Sequence, residues 1–350
     1  MEIKKTAGTE LRKRREELAE AVVALQYSMQ PDIWKPLGER GLEQSIRDAE
    51  YHLIYLAEAV EADEPALFTE YLSWVQSLFT HLSLPSETLP ITLECMQKTL
   101  CTALKESLFQ TVLPILAAGV ESLSSRRVDA SEFSLGGQLG EEARRYLDAL
   151  LGGDHRTAAR IVMDLVQNGM PIKQIYLKIF QPVQREVGRL WQTNRISVAQ
   201  EHFCTAATQT IMSQLYPYLF SGEKKSKKLV ACCISGELHE IGARMVADFM
   251  EMEGWDTYFM GANTPIESIL KTIGDQRADL LAVSATMTFH VSRVTDLIRQ
   301  LRESRLSDVP VLVGGYPFNL SPELWRKVGA DGWAPDAESA VTVAEQVICR

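Results

Sequence analysis

The residues best suited to chemistry are Glu237, His239 and Gly242, which lie in one short stretch between an apolar run and an amphipathic segment. The imidazole of a histidine is a common ligand for transition metals, and a carboxylate behind its second nitrogen fixes the tautomer and raises the basicity of the ring. Glu237, two residues before His239, has the spacing to bond that second nitrogen. Gly242 leaves room for a bulky group near the backbone. Because a lone loop histidine is more often a hydrogen-bonded surface residue, the interpretation of His239 as a ligand depends on the neighbouring loops.

Three further residues could converge at a predicted helix end. Trp191 closes one predicted helix, the chain turns at residues 194–195, and the next helix presents Glu201 and His202 in its first turns. Each has an ordinary alternative role, since a tryptophan usually packs in a core and a glutamate is usually a surface carboxylate. The short turn nevertheless allows the three side chains to meet.

The elements that position these residues follow from alternating apolar and amphipathic segments. Strands are predicted at residues 229–234, 257–260, 280–284, 309–313 and 332–334, with helices between them. This alternation predicts an α/β domain with a doubly wound, parallel, five-stranded sheet of the Rossmann-like or flavodoxin-like kind. Ligands bind at the carboxyl ends of the strands in such sheets. Those ends carry Ser284 and Thr286, and then Gly314, Gly315 and Tyr316.

Two helical regions precede the sheet. Apolar positions three and four apart predict helices first at 9–30, 42–62, 65–82 and 87–124, and then at 143–151, 156–168, 172–193 and 197–220. The first set predicts an N-terminal all-helical domain at residues 1–130, and the second set predicts a four-helix bundle at 131–222. The sheet domain then occupies residues 223–350.

Composition narrows the class of protein. The chain has 36 Lys and Arg against 46 Asp and Glu, a net charge of -10, and no basic stretch that could follow phosphates, so we expect no direct binding of nucleic acid. No Cys-x-x-Cys pair and no signal peptide are visible, which predicts a reduced, cytoplasmic protein. The longest apolar run holds Pro114 and Gly119 and is too short to span a bilayer, so we expect no membrane-spanning helix.

The stretch 237–242, Ser284 and the Gly314-Gly315 pair resemble the Asp-x-His-x-x-Gly, Ser-x-Leu and Gly-Gly signatures of cobalamin-binding domains. The resemblance implies that His239 is the lower axial ligand of cobalt and that Glu237 orients it. It also implies that Ser284 and the two glycines line a slot for the displaced dimethylbenzimidazole tail, which larger side chains would block. The other loop residues expected at the cofactor are Leu238, Glu240, Ile241, Gly242, Thr286 and Tyr316.

The order of Trp191, Glu201 and His202 before this domain resembles the helical bundle of CarH-type photoreceptors, over about residues 141–350. The resemblance implies adenosylcobalamin as the cofactor, with Trp191 against the adenosyl group, Glu201 accepting from its ribose and His202 near the upper face. A methyl group would leave a void and an unpaired carboxylate, which favours the adenosyl form. Light would then break the Co–C bond and change the domain packing. Gln192 departs from the family, because a second imidazole is expected there.

The first 130 residues match no DNA-binding winged helix, with which CarH-type repressors begin. Two aromatic-rich helices, combined with the bundle and the cobalamin domain, instead resemble photocobilins, in which a bilin such as biliverdin accompanies adenosylcobalamin. Composition alone nominates five bilin contacts, although an aromatic stripe is more often core or dimer interface. They are Tyr51, His52, Tyr55, Tyr71 and Trp74.

The sequence therefore predicts a light-sensing, adenosylcobalamin-binding signalling protein with an unidentified downstream partner, a homo-oligomeric state and a bilin as a candidate second cofactor. Two alternatives stay open. One is the corrinoid shuttle protein of a methyltransferase system, which would not need Trp191, Glu201 and His202; the other is a regulator that binds haem in a related domain. Since no Ser-His-Asp set, P-loop or acid–base carboxylate pair is visible, we do not expect the chain to be an enzyme by itself.

Overall fold

A computed structural model of the chain describes residues 2–125, 140–220 and 224–349, and these group into two compact units. The first unit combines the N-terminal helices with residues 285–299 and 316–329. The second unit contains the remaining described residues, including the predicted bundle and all five strands. Both predicted domain boundaries, after residues 130 and 222, lie outside the described residues, and the three-domain division stays a prediction.

The N-terminal region is helical, as the sequence predicts. Its helices are α1 (Glu2–Lys13), α2 (Arg15–Met29), α3 (Pro31–Trp34), α4 (Gly38–Ala62), α5 (Pro65–His81), α6 (Thr88–Ala103) and α7 (Glu106–Ser125), with a 3-10 turn at Lys35–Leu37. The predicted single helices at 9–30 and 87–124 are each two helices. The breaks at Arg14 and Leu104 contain neither proline nor glycine, so the apolar periodicity runs across them without a local signal.

Helix α7 continues through Pro114 and Gly119, so the apolar run that was predicted to be too short for a bilayer lies within one long helix. Within the described residues, its stretch Glu106–Ser124 is the one helix long and apolar enough to cross a membrane, by length and composition only. The core helix of a soluble protein meets the same criterion. Here α7 packs against α1, α5 and α6 and buries Phe109, Val112 and Leu116.

Within the described residues the bundle has four helical segments, the third of which is one continuous run of two helices and a π-helical turn. Its helices are α8 (Glu141–Leu151), α9 (His155–Gln167), α10 (Ile172–Ile175), α11 (Gln181–Gln192) and α12 (Val198–Leu215), with a π-helical turn at Tyr176–Phe180 and a 3-10 turn at Tyr216–Tyr218. A capping box begins α12: the Ser197 hydroxyl accepts from the amide of Gln200 at 3.2 Å, and the Gln200 side chain accepts from the amide of Ser197 at 3.0 Å. This cap fixes the start of the helix that carries Glu201 and His202.

The predicted parallel five-stranded sheet is confirmed. Its strands are β1 (Lys228–Cys233), β2 (Asp256–Phe259), β3 (Leu280–Ser284), β4 (Val311–Gly314) and β5 (Gly332–Ala334), in the order β2-β1-β3-β4-β5. The helices between and after them are α13 (Ile241–Met252), α14 (Ile266–Gln276), α15 (Val291–Arg302), α16 (Tyr316–Leu320), α17 (Leu324–Lys327) and α18 (Ala337–Ile348). Because the strand order reverses between β1 and β3, the topological switch point lies at their carboxyl ends.

A buried carboxylate joins α4 to α15 inside the first unit. Glu58 is 1% exposed, and it accepts hydrogen bonds from the backbone amide of Ser292, from the Ser292 hydroxyl at 2.9 Å and from Arg12 at 2.7 Å. Burial raises the pKa of Glu58, and Arg12 opposes that shift. A carboxylate at the first turn of a helix also meets the positive end of the helix dipole. The start of α15 is therefore built into the N-terminal helical unit.

Candidate functional site

The structure brings Glu237 and His239 together as a hydrogen-bonded pair in the loop after β1. The imidazole Nδ1 lies 2.5 Å from the Glu237 carboxylate, which also accepts from the His239 amide at 3.0 Å. The Glu237 side chain is fully buried, whereas that of His239 is 60% exposed. The pKa of His239 is raised, chiefly by this hydrogen bond, and burial opposes the shift. Because Nδ1 donates to Glu237, Nε2 is the nitrogen that keeps a lone pair for a metal.

The loop after β2 holds this pair in place. Asn263, whose φ of 49° is left-handed, donates its amide to the Glu237 carbonyl at 2.8 Å. Its side-chain oxygen accepts from the amide of Gly236 at 2.7 Å. Asparagine tolerates the left-handed region better than most residues. The sequence analysis missed Asn263, although an Asn two residues after a glycine at a strand end is a turn signal.

Glu240 follows His239 but has a different role from Glu237. One carboxylate oxygen accepts from the Ala262 amide at 2.8 Å, and the other accepts from the side chain of Gln209 in α12 at 2.6 Å. The expectation that Glu237 rather than Glu240 orients the imidazole therefore fits the geometry. Gln209 was also missed; it lies eight residues after Glu201, a spacing that keeps two residues on one helix face.

Open space lies beside the start of α13. A Cβ built on Gly242 meets no described heavy atom within 4 Å, and the neighbouring Leu238 side chain is 70% exposed. Ile241 is half-buried and packs on the core that the bundle shares with α13. A bulky planar group could approach the backbone here without displacing a side chain.

The carboxyl ends of β1, β3 and β4 are adjacent. Ser284 lies beside Cys233 on one side and beside Gly314 on the other in the sheet register. A Cβ at Gly314 would lie 3.4 Å from the Ala334 carbonyl oxygen, an ordinary van der Waals distance, whereas the φ of 102° at Gly315 favours glycine. Thr286 and Tyr316 belong to the first unit, where Thr286 is half-buried and the Tyr316 hydroxyl bonds Glu70.

Of the three bundle residues predicted at the site, Glu201 and His202 contact each other. Glu201 bonds the His202 ring at 2.6 Å and accepts from Thr205 at 3.0 Å, so both of its oxygens have protein partners. The Glu201 carboxylate also lies near enough to His239 to contribute to its raised pKa. The Trp191 side chain is 40% exposed at the end of α11. The expectation that Glu201 would stay unpaired without a ribose is wrong, because its own helix supplies the donors.

The five bilin candidates divide into two sets. His52, Tyr55, Tyr71 and Trp74 form an aromatic cluster in which Tyr55 and Tyr71 stack 3.6 Å apart and His52 Nδ1 bonds the Tyr71 hydroxyl at 2.7 Å. Tyr51, in contrast, is 52% exposed. Helical periodicity cannot separate a packed aromatic cluster from a pocket wall, because both place aromatic rings on one face.

One imidazole is the metal-binding feature of this site. In the residues that the structure describes, no group of three or more His, Cys, Asp or Glu side chains could hold a metal ion. A metal ligated by His239 would need its other ligands from an organic macrocycle or solvent. This donor set suits a cobalt corrin, whose ring supplies four nitrogens.

Comparison with known proteins shows which class of protein this chain resembles. Two B12 binding domain profiles match the chain, one at residues 142–216 and the other at 227–342. Two separate stretches of the chain are thus similar to B12 binding domains. Dimethylamine corrinoid protein 3 of Methanosarcina acetivorans is 29% identical over 182 residues, which cover 51% of this chain and 84% of that protein. Trimethylamine corrinoid protein 1 of the same organism is 24% identical over 205 residues, which cover 57% and 94%.

A solved structure agrees with these relatives. The monomethylamine corrinoid protein of Methanosarcina barkeri is 25% identical with a TM-score of 0.52, over 58% of this chain and 96% of that one. These similarities overturn the predicted light-sensing function, because the relatives are corrinoid proteins named for methylated amines. The finer resemblance to CarH-type photoreceptors and photocobilins is not supported either. The spacing of Trp191, Glu201 and His202 is too small a signal to separate branches of one family.

Proposed function

We propose that the chain is a corrinoid protein that carries a methyl group and works with a methyltransferase partner. The observation that carries this proposal is the half-exposed His239 with its Nδ1 on the buried Glu237, at the switch point of a chain similar to methylamine corrinoid proteins. Dimethylamine, trimethylamine and monomethylamine share an N-methyl group, which is the group that such a carrier would accept. The names of the relatives favour a corrinoid as the cofactor over haem, which the second alternative function would require.

The residues at the carboxyl ends of the strands fit a bound corrinoid. His239 would ligate cobalt through Nε2, and Glu237 would hold the proton on Nδ1 and keep the ring oriented. Gly242 would leave room for the corrin, while Ser284, Gly314 and Gly315 would line the slot for its nucleotide tail. When bound, a corrinoid supplies a cobalt centre that accepts and releases a methyl group.

The proposed function requires neither an adenosyl group nor a bilin. Glu201 already has His202 and Thr205 as partners, so a small upper ligand leaves no unpaired carboxylate. Three of the bilin candidates, His52, Tyr55 and Tyr71, are buried against one another. A homo-oligomeric state and a cytoplasmic location remain predictions from the sequence.

The test is calorimetric titration of the full chain, in the dark, with methylcobalamin and with adenosylcobalamin. We expect methylcobalamin to bind at least as tightly as adenosylcobalamin. The variant Trp191→Ala should change both affinities by similar factors, within about threefold of each other, because the proposed carrier does not need an adenosyl wall.

A preference of the wild type for adenosylcobalamin by more than about tenfold, lost selectively in Trp191→Ala, would overturn the proposal. The matched control is Val198→Ala, which shortens another half-exposed apolar side chain at the start of α12. It should leave the ratio of the two affinities unchanged.

A further inference from the structure

Glu240 joins three elements with one side chain. It stands between His239 and the first residue of α13, its Oε2 accepts from the Ala262 amide at 2.8 Å, and its Oε1 accepts from Gln209 Nε2 at 2.6 Å. Ala262 belongs to the loop after β2 that also holds Glu237 through Asn263. The cofactor loop and α12 of the bundle are therefore connected through one carboxylate.

A second attachment of the bundle to α13 is of a different kind. Tyr176, in the π-helical turn, donates to Asp248 at 2.7 Å, and both residues are buried. Met245 and Phe249 of α13 lie in the same hydrophobic cluster as the bundle core. An apolar, buried attachment of this kind resists separation, because it would expose the cluster to water.

The Gln209–Glu240 contact is less buried than the Tyr176–Asp248 contact. Both side chains are half-buried, and Gln209 is followed by the exposed Thr210. Water can replace a single side-chain hydrogen bond at such a position at low cost. Helix α12 is therefore held by the shared core along its buried face, and the Gln209–Glu240 hydrogen bond joins it to the cofactor loop.

We propose that Glu240 is a positioning residue that holds α12, with Glu201 and His202, over the cofactor loop through its bond to Gln209. Breaking that bond loosens α12 from the cofactor loop while the shared core and the Tyr176 attachment stay, which admits a reactant to the upper side of the corrin. This inference rests on the proposed function, since a methyl carrier must expose that side to a partner.

The experiment measures access to the upper side. The full chain is loaded with aquacobalamin, and cyanide binding is followed by stopped-flow absorbance in the wild type and in Gln209→Met, which keeps the side-chain length but removes the donor. We expect cyanide to bind about tenfold faster in Gln209→Met, because the lost bond is to a charged acceptor. The variant Gln209→Lys restores a donor and should return the rate toward that of the wild type.

The control is Thr210→Val on the same helix, where the hydroxyl donates to the Ala206 carbonyl of α12 itself; it should bind cyanide at the wild-type rate. Hydrogen exchange of the cofactor-free chain gives an independent readout. Amides 203–212 should exchange faster in Gln209→Met, while amides 174–180 around Tyr176 should not change.

Equal cyanide rates in Gln209→Met and the wild type, with cobalamin still bound, would overturn the role of Glu240. That outcome would leave the methyl carrier standing, because the methyl and adenosyl affinities test the carrier separately. Faster exchange throughout the bundle would also overturn it, since the bond would then support the fold in general.

Discussion

His239 and His52 each bond a neighbour through Nδ1, and their surroundings give these two histidines opposite properties. His239 bonds a carboxylate, is 60% exposed and has a raised pKa. His52 bonds the Tyr71 hydroxyl, is 3% exposed and has its pKa lowered by burial to about 4. The first is an oriented base with an accessible Nε2, and the second is a neutral core residue.

The comparison shows that the partner and the exposure of an imidazole decide its chemistry. A carboxylate favours the charged ring and makes Nε2 a better donor, whereas burial without a charge favours the neutral ring. Sequence analysis nominated both residues as cofactor contacts. Their exposure depends on packing between distant elements, which residue spacing does not contain.

The largest effect should follow from removing the exposed imidazole. His239→Ala should weaken cobalamin binding by more than about 100-fold, because loss of a supporting partner alone costs about 10–100-fold. The absorption spectrum of the bound cofactor should also lose the features of imidazole ligation. Titration and absorption spectra check both; His202→Ala is the control and should keep the ligated spectrum. An unchanged spectrum in His239→Ala would remove His239 as the ligand.

A second effect concerns the buried imidazole. In the unfolded chain His52 takes up a proton near pH 6.5, but in the folded chain it does so only near pH 4. The unfolded state therefore binds more protons between these values, and the free energy of unfolding falls as the pH falls through that window. The expected loss is about 3 kcal/mol, from about 1.4 kcal/mol per pH unit.

Denaturant unfolding at pH 7 and pH 4.5 measures this loss. The variant His52→Gln keeps a side chain that can bond Tyr71 but does not titrate, so it should lose less stability between the two pH values than the wild type. His81→Gln alters an exposed histidine and should behave as the wild type does. Equal pH dependence in His52→Gln and the wild type would contradict the buried neutral state.

The smallest of the three effects tests the partner of the exposed imidazole. Glu237→Gln retains an acceptor for Nδ1 but removes the charge, so cobalamin affinity near pH 8 should fall by about tenfold. The pKa of His239 should fall toward its ordinary value of about 6.5, because the Glu237 hydrogen bond is the main cause of its rise. Protons and cobalt compete for the same ring, so the pH below which protonation of His239 weakens cobalamin binding should also fall.

An NMR titration of the cofactor-free variant measures that pKa, and calorimetry at several pH values measures the affinity. Glu267→Gln, an acidic residue in the first turn of α14, serves as the charge control. If the pKa of His239 rises in Glu237→Gln, the carboxylate does not have the role assigned to it.

Local patterns predicted most of the sheet. The predicted strands at 280–284 and 332–334 agree with β3 and β5, because buried parallel strands are short, continuous apolar runs. The predicted start of β4 at residue 309 is two residues early. Pro310 has no amide to donate, and the strand begins at Val311, whose amide bonds the Asp331 side chain at 2.7 Å.

The site was predictable where its residues are adjacent in the chain, as with Glu237 and His239. It was not predictable where partners are distant: Gln209 on Glu240, Glu70 on Tyr316, and Glu58 at the start of α15. The branch of the family was also misjudged, because the argument for an adenosyl group required Glu201 to lack a partner. Thr205, one turn along the same helix, supplies one.

The union of the N-terminal helices with residues 285–299 and 316–329 has a consequence for biosynthesis. The ribosome finishes α7 nearly 170 residues before it makes Ser292, which corresponds to ~10–30 s of synthesis. During that time Glu58 lacks the donors that α15 supplies. The N-terminal helices are therefore an incomplete unit on the nascent chain, with the surface for α15 exposed, until residues 285–299 have been made.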